Sequence, residues 1–298
     1  MTVEVIALDG VSIGVLRGAA GTADEALGRS LALTLAGAPG PIPDWVVDVP
    51  DVEAALAAFG GAVTARTLVD LLRVTSVAPV REGLIAESLA YSMLMSGAEY
   101  RAWLAARTRR EVPEPVEPAV LLEREGGILL AVTLNVPGRH NAFSRWVRDG
   151  LCEAFDLVAA DDSVSSVQVR GNGSSFCSGG DLDEFGTTPD LAAAHLIRQD
   201  RGVAARIDAV RERVTVHLHG ACIGAGIELA SFGGRVMADP STVIRLPELA
   251  MGLVPGAGGT VGITRRIGRW RTAFIALTSE ALPLEAALRW GLVDELAP

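Results

Sequence analysis

The arrangement of apolar and polar positions in the first fifty residues predicts short strands. Two mainly apolar runs, Thr2–Leu8 and Ser12–Leu16, flank the pair Asp9–Gly10. An Asp-Gly pair between two such runs is typical of a two-residue hairpin turn. Trp45–Val49 is a further short apolar run. We therefore expect a hairpin and one more short strand in this region.

A helical pattern accounts for the rest of the first hundred residues. Thr22 and Glu25 have the spacing of a capping box, which predicts a helix that continues to about Ala36. Four further helices are predicted over the segments Asp51–Phe59, Val63–Arg73, Arg81–Met95 and Ala98–Arg109. We see no candidate chemistry in this half of the chain.

One of these helices carries an apolar stripe. Ile85, Leu89 and Met93 recur at every fourth position, so they lie on one face of the helix. We expect this stripe to be buried. Gly97 separates the helix from the one that follows.

The segment Arg109–Pro118, with the sequence RREVPEPVEP, divides the chain. Its three prolines and intervening charges exclude a helix or a central strand and predict an extended connector. We expect residues 1–108 to form an N-terminal segment that runs from mixed α/β to helical. Residues 119–298 form the second unit.

Strands and helices alternate after the connector. The predicted helix is Ala142–Ala160, and the predicted strands are Ile128–Leu134, Val164–Arg170, Val214–Leu218 and Thr242–Leu246. This alternation is typical of a layered α/β domain.

Composition and charge narrow the function classes. The chain has 298 residues, of which 49% are hydrophobic and 21% charged, a balance that excludes intrinsic disorder. The net charge of −10 argues against general nucleic-acid binding, which depends on neutralising phosphates. All 26 basic residues are arginines, so a Schiff-base lysine and a P-loop lysine are excluded.

The cysteines and the apolar runs indicate neither a metal site nor a membrane span. Cys152, Cys177 and Cys222 are far apart, without the paired spacing of a zinc site or a disulfide framework. The first residues lack the basic start of a signal peptide, and no stretch has the apolar length of a membrane span. We therefore expect a cytoplasmic protein.

Two glycine-rich turns carry candidate chemistry. Ser174–Asp181 follows a predicted strand, and Gly220–Glu228 follows another and opens a predicted helix at Ile227–Phe232. Unpaired backbone N–H groups at such turns suit an oxygen that becomes negative during a reaction. Ordinary strand-to-helix turns have the same composition, so each turn alone is weak support. A GxGxxG dinucleotide motif is not completed, because Leu229 occupies the third glycine position.

Two glutamates lie in apolar surroundings. Glu228 begins an apolar helix, and Glu248 follows Pro247 at the end of an apolar strand. If both carboxyls shared one pocket, one would ionise and the other would keep its proton near neutral pH, as a base and an acid require. Alternatively, each glutamate caps a helix or pairs with an arginine such as Arg245. Glu228 is the better candidate for the ionised partner because it lies near a helix N-terminus.

Residues from about Leu121 to Pro298 resemble the crotonase superfamily, also called the enoyl-CoA hydratase/isomerase family. The matching segments stand in the family's order: LNVPGRHNAF at Leu134–Phe143, SSFCSGGDL at Ser174–Leu182, HGACIGAGIELA at His219–Ala230, ADPSTVIRLPELAMGLVPGAGGT at Ala238–Thr260, and Glu285–Glu295. The resemblance implies a crotonase-like core of repeated ββα units, preceded by the additional, mainly helical N-terminal segment.

The resemblance also implies roles for individual residues. The oxyanion-hole N–H groups are those of Gly180 and Ala225, and the catalytic carboxyls are those of Glu228 and Glu248. Residues that match positions near coenzyme A are Arg139, which could reach a phosphate, and Phe176 and Ser178, which would lie near the adenine. No metal and no cofactor is implied apart from the coenzyme A of the substrate.

Retention of both glutamates favours hydration or dehydration of a 2-enoyl-CoA thioester. Isomerisation of the double bond, hydrolysis of the thioester and a non-catalytic acyl-CoA-binding subunit remain open. The resemblance further implies an acyl-CoA partner and a homo-oligomer, a trimer or hexamer.

The match departs from the family pattern at its end, because the helical region that usually follows the GLVDE segment is missing. Arg81–Arg107 looks like that region. We therefore expect these helices to cover the core as the C-terminal helices do elsewhere, as if the module were permuted.

Overall fold

We describe a computed structural model of the chain. It describes residues 2–8, 11–17, 22–37, 43–57, 62–111, 114–126 and 128–297. Twelve strands and eleven α-helices are assigned within these ranges.

The first described strands form a four-stranded sheet. They are β1 (Thr2–Leu8), β2 (Val11–Arg17), β3 (Leu33–Ala36) and β4 (Val46–Asp48), in that order across the sheet. β1 and β2 are antiparallel and pair Leu8 with Val11, which confirms the predicted hairpin, although Asp9 and Gly10 themselves lie outside the described residues. The other two pairings are parallel.

The helix predicted to continue to Ala36 is wrong in its second half. Helix α1 (Thr22–Ser30) ends early, and all four residues of β3 are buried. β3 lies between two parallel neighbours and is buried on both faces, so even its threonine, Thr34, is inaccessible to solvent. A mainly apolar segment of this kind does not distinguish a buried strand from a helix. The side chain of Thr22, half of the predicted capping box, lies outside the described residues.

Four helices follow, close to the predicted positions. They are α2 (Val52–Ala57), α3 (Ala62–Thr75), α4 (Val80–Met95) and α5 (Ala98–Ala105). The predicted burial of the α4 stripe is wrong, because Leu89 and Met93 are each 54% exposed. A neighbouring face, which includes Gly83 and Glu87, is buried instead.

The second unit contains a six-stranded sheet. Its strands are β5 (Val120–Glu125), β6 (Leu129–Leu134), β7 (Ser166–Gly171), β8 (Val214–Leu218), β10 (Arg235–Ala238) and β12 (Glu295–Leu296). They lie in the order β12-β10-β8-β7-β6-β5, and only the β5–β6 pair is antiparallel. β9 (Ala221–Ile223) and β11 (Val243–Arg245) form a separate parallel pair.

Six helices complete this unit. They are α6 (Arg145–Ala160), α7 (Leu191–Asp200), α8 (Val203–Ala209), α9 (Ala225–Ala230), α10 (Gly259–Thr278) and α11 (Leu284–Trp290). The described residues of the connector, 109–111 and 114–118, are neither helix nor strand. Within the described part of the chain, no helix is both long enough and apolar enough to span a membrane.

The two units share one apolar core. Buried side chains of the first sheet and α3, such as Leu33 and Leu68, belong to the same contiguous cluster as Val261 of α10. The Thr75 hydroxyl donates a hydrogen bond to the carbonyl oxygen of Thr260 at 2.8 Å, so α3 is tied to the start of α10. The start of α10 is therefore enclosed by helices from the N-terminal half.

Candidate active site

The two glycine-rich turns are joined by backbone hydrogen bonds. The Cys177 N–H donates to the Ala221 carbonyl at 3.0 Å, and the Ile223 N–H donates to the Cys177 carbonyl at 3.0 Å. As a result a Cβ added to Gly224 would lie 3.7 Å from the Cα of Gly179. The residues that follow these glycines, Gly180 and Ala225, are therefore brought to neighbouring positions.

The amides of Gly180 and Ala225 have no hydrogen-bond acceptor among the described residues. Gly224, which directly precedes α9, has φ +48°, a backbone conformation that residues with a side chain rarely adopt. Ala225 itself does not have a positive φ, so alanine is accommodated in place of the glycine usual in the family. The geometry fits the predicted pair of oxyanion-hole donors.

Glu228 lies on α9 and is 2% exposed. Its Oε2 accepts hydrogen bonds from the N–H groups of Ala257, at 2.8 Å, and Gly259, at 2.9 Å. Burial raises the pKa of Glu228 to about 7, and the two amide hydrogen bonds oppose that increase. The anion is therefore stabilised by the amides of Ala257 and Gly259. Glu228 also lies in the first turn of α9, near the helix N-terminus, as predicted.

Glu248 begins a 3-10 turn, Glu248–Met251, and is 7% exposed. Its Oε1 lies so close to Gly224 that a Cβ there would collide with it, and its buried Oε2 has no hydrogen-bond partner among the described residues. Burial and the charge of Glu228 raise its pKa well above the ordinary value. The alternative pairing with Arg245 is wrong, because that guanidinium donates to the Ser279 carbonyl instead.

A third buried carboxyl, Glu87 on α4, reaches the same place and was not predicted. It is 2% exposed and accepts hydrogen bonds from the amides of Gly258, at 2.7 Å, and Thr260, at 2.9 Å. Burial and the charge of Glu228 raise its pKa to about 8. The available signal was a charged residue between Leu84 and Tyr91 at helical spacing, where a buried face requires apolar side chains.

Helices α4 and α5 lie directly over this site. A Cβ on Gly256 would collide with the ring of Tyr91, and one on Gly252 would lie 2.5 Å from the amide nitrogen of Tyr100. The predicted closeness of these helices to Glu248 therefore holds. Their equivalence to the terminal helices of the family stays a prediction.

The residues predicted to contact coenzyme A have different surroundings. Arg139 donates to Asp181 at 2.7 and 3.0 Å and to Asp183 at 2.9 Å, so its guanidinium fastens the first turn. Phe176 is 4% exposed and packs in the core, which argues against the adenine contact that we predicted for its ring. Ser178 is partly exposed on the same turn, and its contact stays a prediction.

The buried cysteines at the turns are suited to packing. Burial raises the pKa of the Cys177 thiol to about 12, and it also raises that of Cys222. Both remain thiols near neutral pH, and a thiol is a poor nucleophile. No cluster of three or more histidine, cysteine or acidic side chains that could hold a metal ion occurs within the described ranges.

A cavity of about 530 Å³ adjoins the carboxyl cluster. It lies between α4 and the α7–α8 pair, and its wall includes Glu87, Phe143, Leu229 and the segment 256–258. The cavity thus reaches both the loop that holds Glu228 and Phe143, which pairs with Gly180 of the first turn.

Comparison with known proteins identifies the family. The model of the enoyl-CoA hydratase/isomerase family matches residues 123–298, so the chain belongs to this family, as its motifs predicted. It is 32% identical over 179 residues to the 2,3-dehydroadipyl-CoA hydratase of Escherichia coli, a match that covers 60% of this chain and 69% of that protein. It is 33% identical over 183 residues to the fatty acid oxidation complex subunit alpha of Shewanella amazonensis, covering 60% of this chain but 26% of that protein.

Solved structures agree with this assignment. An enoyl-CoA hydratase from Mycobacterium smegmatis matches with a TM-score of 0.57 and 28% identity, covering 61% of this chain and 70% of that one. An enoyl-CoA hydratase from Thermoplasma volcanium matches with a TM-score of 0.56 and 29% identity, covering 61% and 72%. The crotonase-like fold is therefore confirmed. Residues 1–122 lie outside the family match.

Proposed function

We propose that this protein catalyses the reversible hydration of a 2-enoyl-CoA thioester, with Glu228 and Glu248 as base and acid. The observation that carries the proposal is the buried Oε2 of Glu248, which lies beside Glu228 and the two turns. Neither this oxygen nor the amides of Gly180 and Ala225 have a hydrogen-bond partner in the part of the chain that the structure describes. A buried carboxyl oxygen without a partner is costly unless a ligand or water completes it.

The amides of Gly180 and Ala225 would receive the thioester oxygen. Electrons of the C2=C3 double bond move toward this oxygen when water adds at C3, so an enolate forms. Two N–H donors stabilise that charge, and removing one donor from such a site typically costs about 3 kcal/mol of barrier. The donors are backbone groups, which explains why Ala225 can replace a glycine.

The different surroundings of the two carboxyls suggest their roles. Glu228 accepts hydrogen bonds from two amides, whereas the buried Oε2 of Glu248 accepts none from the described residues. Glu228 therefore ionises more readily than Glu248. Glu228 therefore takes a proton from the attacking water while the oxygen of that water bonds to C3. Glu248 donates its proton to C2, and dehydration reverses both transfers.

The acyl chain has a candidate space in the 530 Å³ cavity. Its walls combine apolar side chains with Arg198, so both plain and polar chain ends deserve testing. The similarity to a 2,3-dehydroadipyl-CoA hydratase adds a carboxylate-ended substrate to the panel.

The test is loss of the absorbance of the conjugated thioester when crotonyl-CoA, a longer 2-enoyl-CoA or 2,3-dehydroadipyl-CoA is added. Glu228→Gln and Glu248→Gln should each reduce kcat by about a thousandfold or more, because acid–base catalysis contributes about a hundred- to ten-thousandfold per group. Glu153→Gln, an exposed glutamate on α6, is the matched control and should retain full activity.

Other reactions of the family give different signals. Formation of a conjugated product from a 3-enoyl-CoA indicates an isomerase, and release of the coenzyme A thiol indicates a hydrolase. A wild-type protein that binds acyl-CoA but turns over none of these substrates would be the non-catalytic subunit, and the hydratase proposal would then be rejected.

A further inference from the structure

Two carboxyls divide the amides of a single loop between them. In the segment 257–260, the first and third N–H groups donate to Glu228, and the second and fourth donate to Glu87. Gly258 lies between Ala257 and Gly259 and has φ +108°, a backbone conformation that favours glycine. The loop therefore keeps its shape only when an acceptor is present on each side.

The position of Glu87 requires a side chain that accepts hydrogen bonds at two separate atoms. Both of its oxygens accept bonds from the loop, Oε1 from the Gly258 amide and Oε2 from the amide and, at 2.6 Å, the hydroxyl of Thr260. A glutamine could satisfy only one side, because its NH₂ group would face a donor. Removing a carboxyl from water is unfavourable, so an apolar residue would pack better if packing were the only requirement.

The hydrogen bonds of Glu87 bear directly on Glu228. A shift of Gly258 or Thr260 displaces Ala257 and Gly259, which lie between and beside them and donate to Glu228. Glu87 reaches this loop from 171 residues earlier in the chain, on a helix outside the family match. The N-terminal half thus supports the loop from the side opposite Glu228.

We infer that Glu87 is a positioning residue of the active site: by holding Gly258 and Thr260, it aims the Ala257 and Gly259 amides at the Glu228 carboxyl. It also places a third ionisable carboxyl beside Glu228 and Glu248, and its negative charge, once formed, raises the proton affinity of Glu248. This inference rests on the proposed function, since it concerns the acid–base pair of that reaction.

The surroundings of the three carboxyls define what else could titrate with them. The groups that face them or line the adjoining cavity are Tyr91 on α4, Cys177 on the first turn, His195 and Arg198 on α7, and more peripherally Arg81, Arg148, Asp200, Arg201 and Asp208. Burial raises the pKa of both Tyr91 and Cys177, so neither ionises near neutral pH. Arg198 donates to the Ser88 hydroxyl at 2.9 Å and remains a fixed cation.

The test is the pH profile of kcat/KM for Glu87→Gln. Where Glu228 titrates, Glu87 is still protonated because its pKa is higher, so Glu87→Gln removes no charge there and the acidic limb should not move to lower pH. Above about pH 8 Glu87 is ionised, and the loss of its charge should move the basic limb, set by Glu248, to lower pH by about one unit for charges a few ångströms apart. At the optimum, kcat/KM should fall about tenfold or more, because the loop loses an acceptor for a buried donor. Glu82→Gln, an exposed glutamate on the same helix, should match the wild type.

Three further variants separate charge from geometry. Glu87→Asp keeps the charge but shortens the reach, so the limbs should stay in place while kcat/KM falls. Thr260→Val removes only the hydroxyl donor and should lower kcat/KM, by up to about tenfold, without moving the limbs to lower pH. His195→Asn removes the imidazole that lines the adjoining cavity together with Glu87, and it should leave the limbs where they are.

The outcomes distinguish this inference from the proposed function. Limbs in Glu87→Gln that coincide with those of Glu82→Gln would overturn the inference, even if the variant is less stable, while inactive Glu228→Gln keeps the hydratase proposal intact. If Glu87→Gln does not fold, unmoved limbs with unchanged kcat/KM in both Glu87→Asp and Thr260→Val would overturn it equally. A wild type inert toward every enoyl-CoA would reject both together.

Discussion

The two halves of this protein contribute to the site in different ways. Residues 119–297 carry every motif of the family and both glutamates of the proposed acid–base pair. Residues 2–111 carry none, yet α4 supplies Glu87, a buried carboxyl that accepts three hydrogen bonds. Motifs mark the groups proposed to touch the substrate, whereas the support of those groups can come from a segment without any motif.

The halves also differ in how they meet water. The start of α10 is closed off by α3 and α4, where Gly83 is so close to Val261 that an added Cβ would lie 2.9 Å from its methyl group. If α3 and α4 were removed, the second unit would therefore expose an apolar surface at the start of α10. We infer that the halves depend on each other for folding.

The largest effect is expected when the halves are separated. Residues 114–298 expressed alone should show no cooperative unfolding in urea, because the apolar core that they share with the first half is opened. The control is the full chain cut by a protease within the connector, which should stay associated and unfold cooperatively. A fragment with a wild-type urea transition would show that the halves are independent.

A smaller effect is expected in the pH dependence of stability. The folded-state pKa values of Glu228 and Glu87, about 7 and about 8, lie above the ordinary 4.5. Below pH 4.5 both states are protonated; between 4.5 and about 8 the folded protein keeps protons that the unfolded chain has lost. The free energy of unfolding should therefore fall as pH rises through this window, by up to about 1.4 kcal/mol per pH unit for each group.

Urea titrations at pH 6 and pH 9 measure this difference. Glu87→Gln removes one of the groups and should give the smaller decrease, while Glu82→Gln should behave as the wild type. An equal decrease in Glu87→Gln would contradict the assignment of this pH dependence to the carboxyl cluster and weaken the contrast between the halves.

The smallest effect is expected at the surface contact between the halves. Arg289 donates to Asp48 at 2.6 Å, and the Trp290 indole N–H donates to the same carboxyl at 3.2 Å. Both charged side chains are partly exposed, so solvent screens the pair. A double-mutant cycle with Asp48→Asn and Arg289→Gln should give a coupling below about 1 kcal/mol. A larger coupling would mean that the halves are joined by charge as well as by their apolar core.

Sequence reasoning located elements in both halves, and its clearest failures lie in the first. Val214–Leu218 is a strand at the predicted bounds, and α4 begins and ends within one residue of prediction. The failures were at Leu33–Ala36, a mainly apolar segment that is buried on both faces, and at the Leu89–Met93 stripe, whose helix is rotated. The rotation follows from close packing, because the small residue Gly83 faces Val261 and the stripe then turns outward.

The amino-acid sequence by itself determined the family, the two turns and the pair of glutamates, since local spacing and residue type are sufficient to specify them. Only the tertiary structure decided that Oε2 of Glu248 has no hydrogen-bond partner among the described residues and that Arg139 pairs with Asp181 and Asp183. Only it brought Glu87 to the loop that holds Glu228. These contacts join positions far apart along the chain, and no local pattern encodes which distant amide a buried carboxyl will meet.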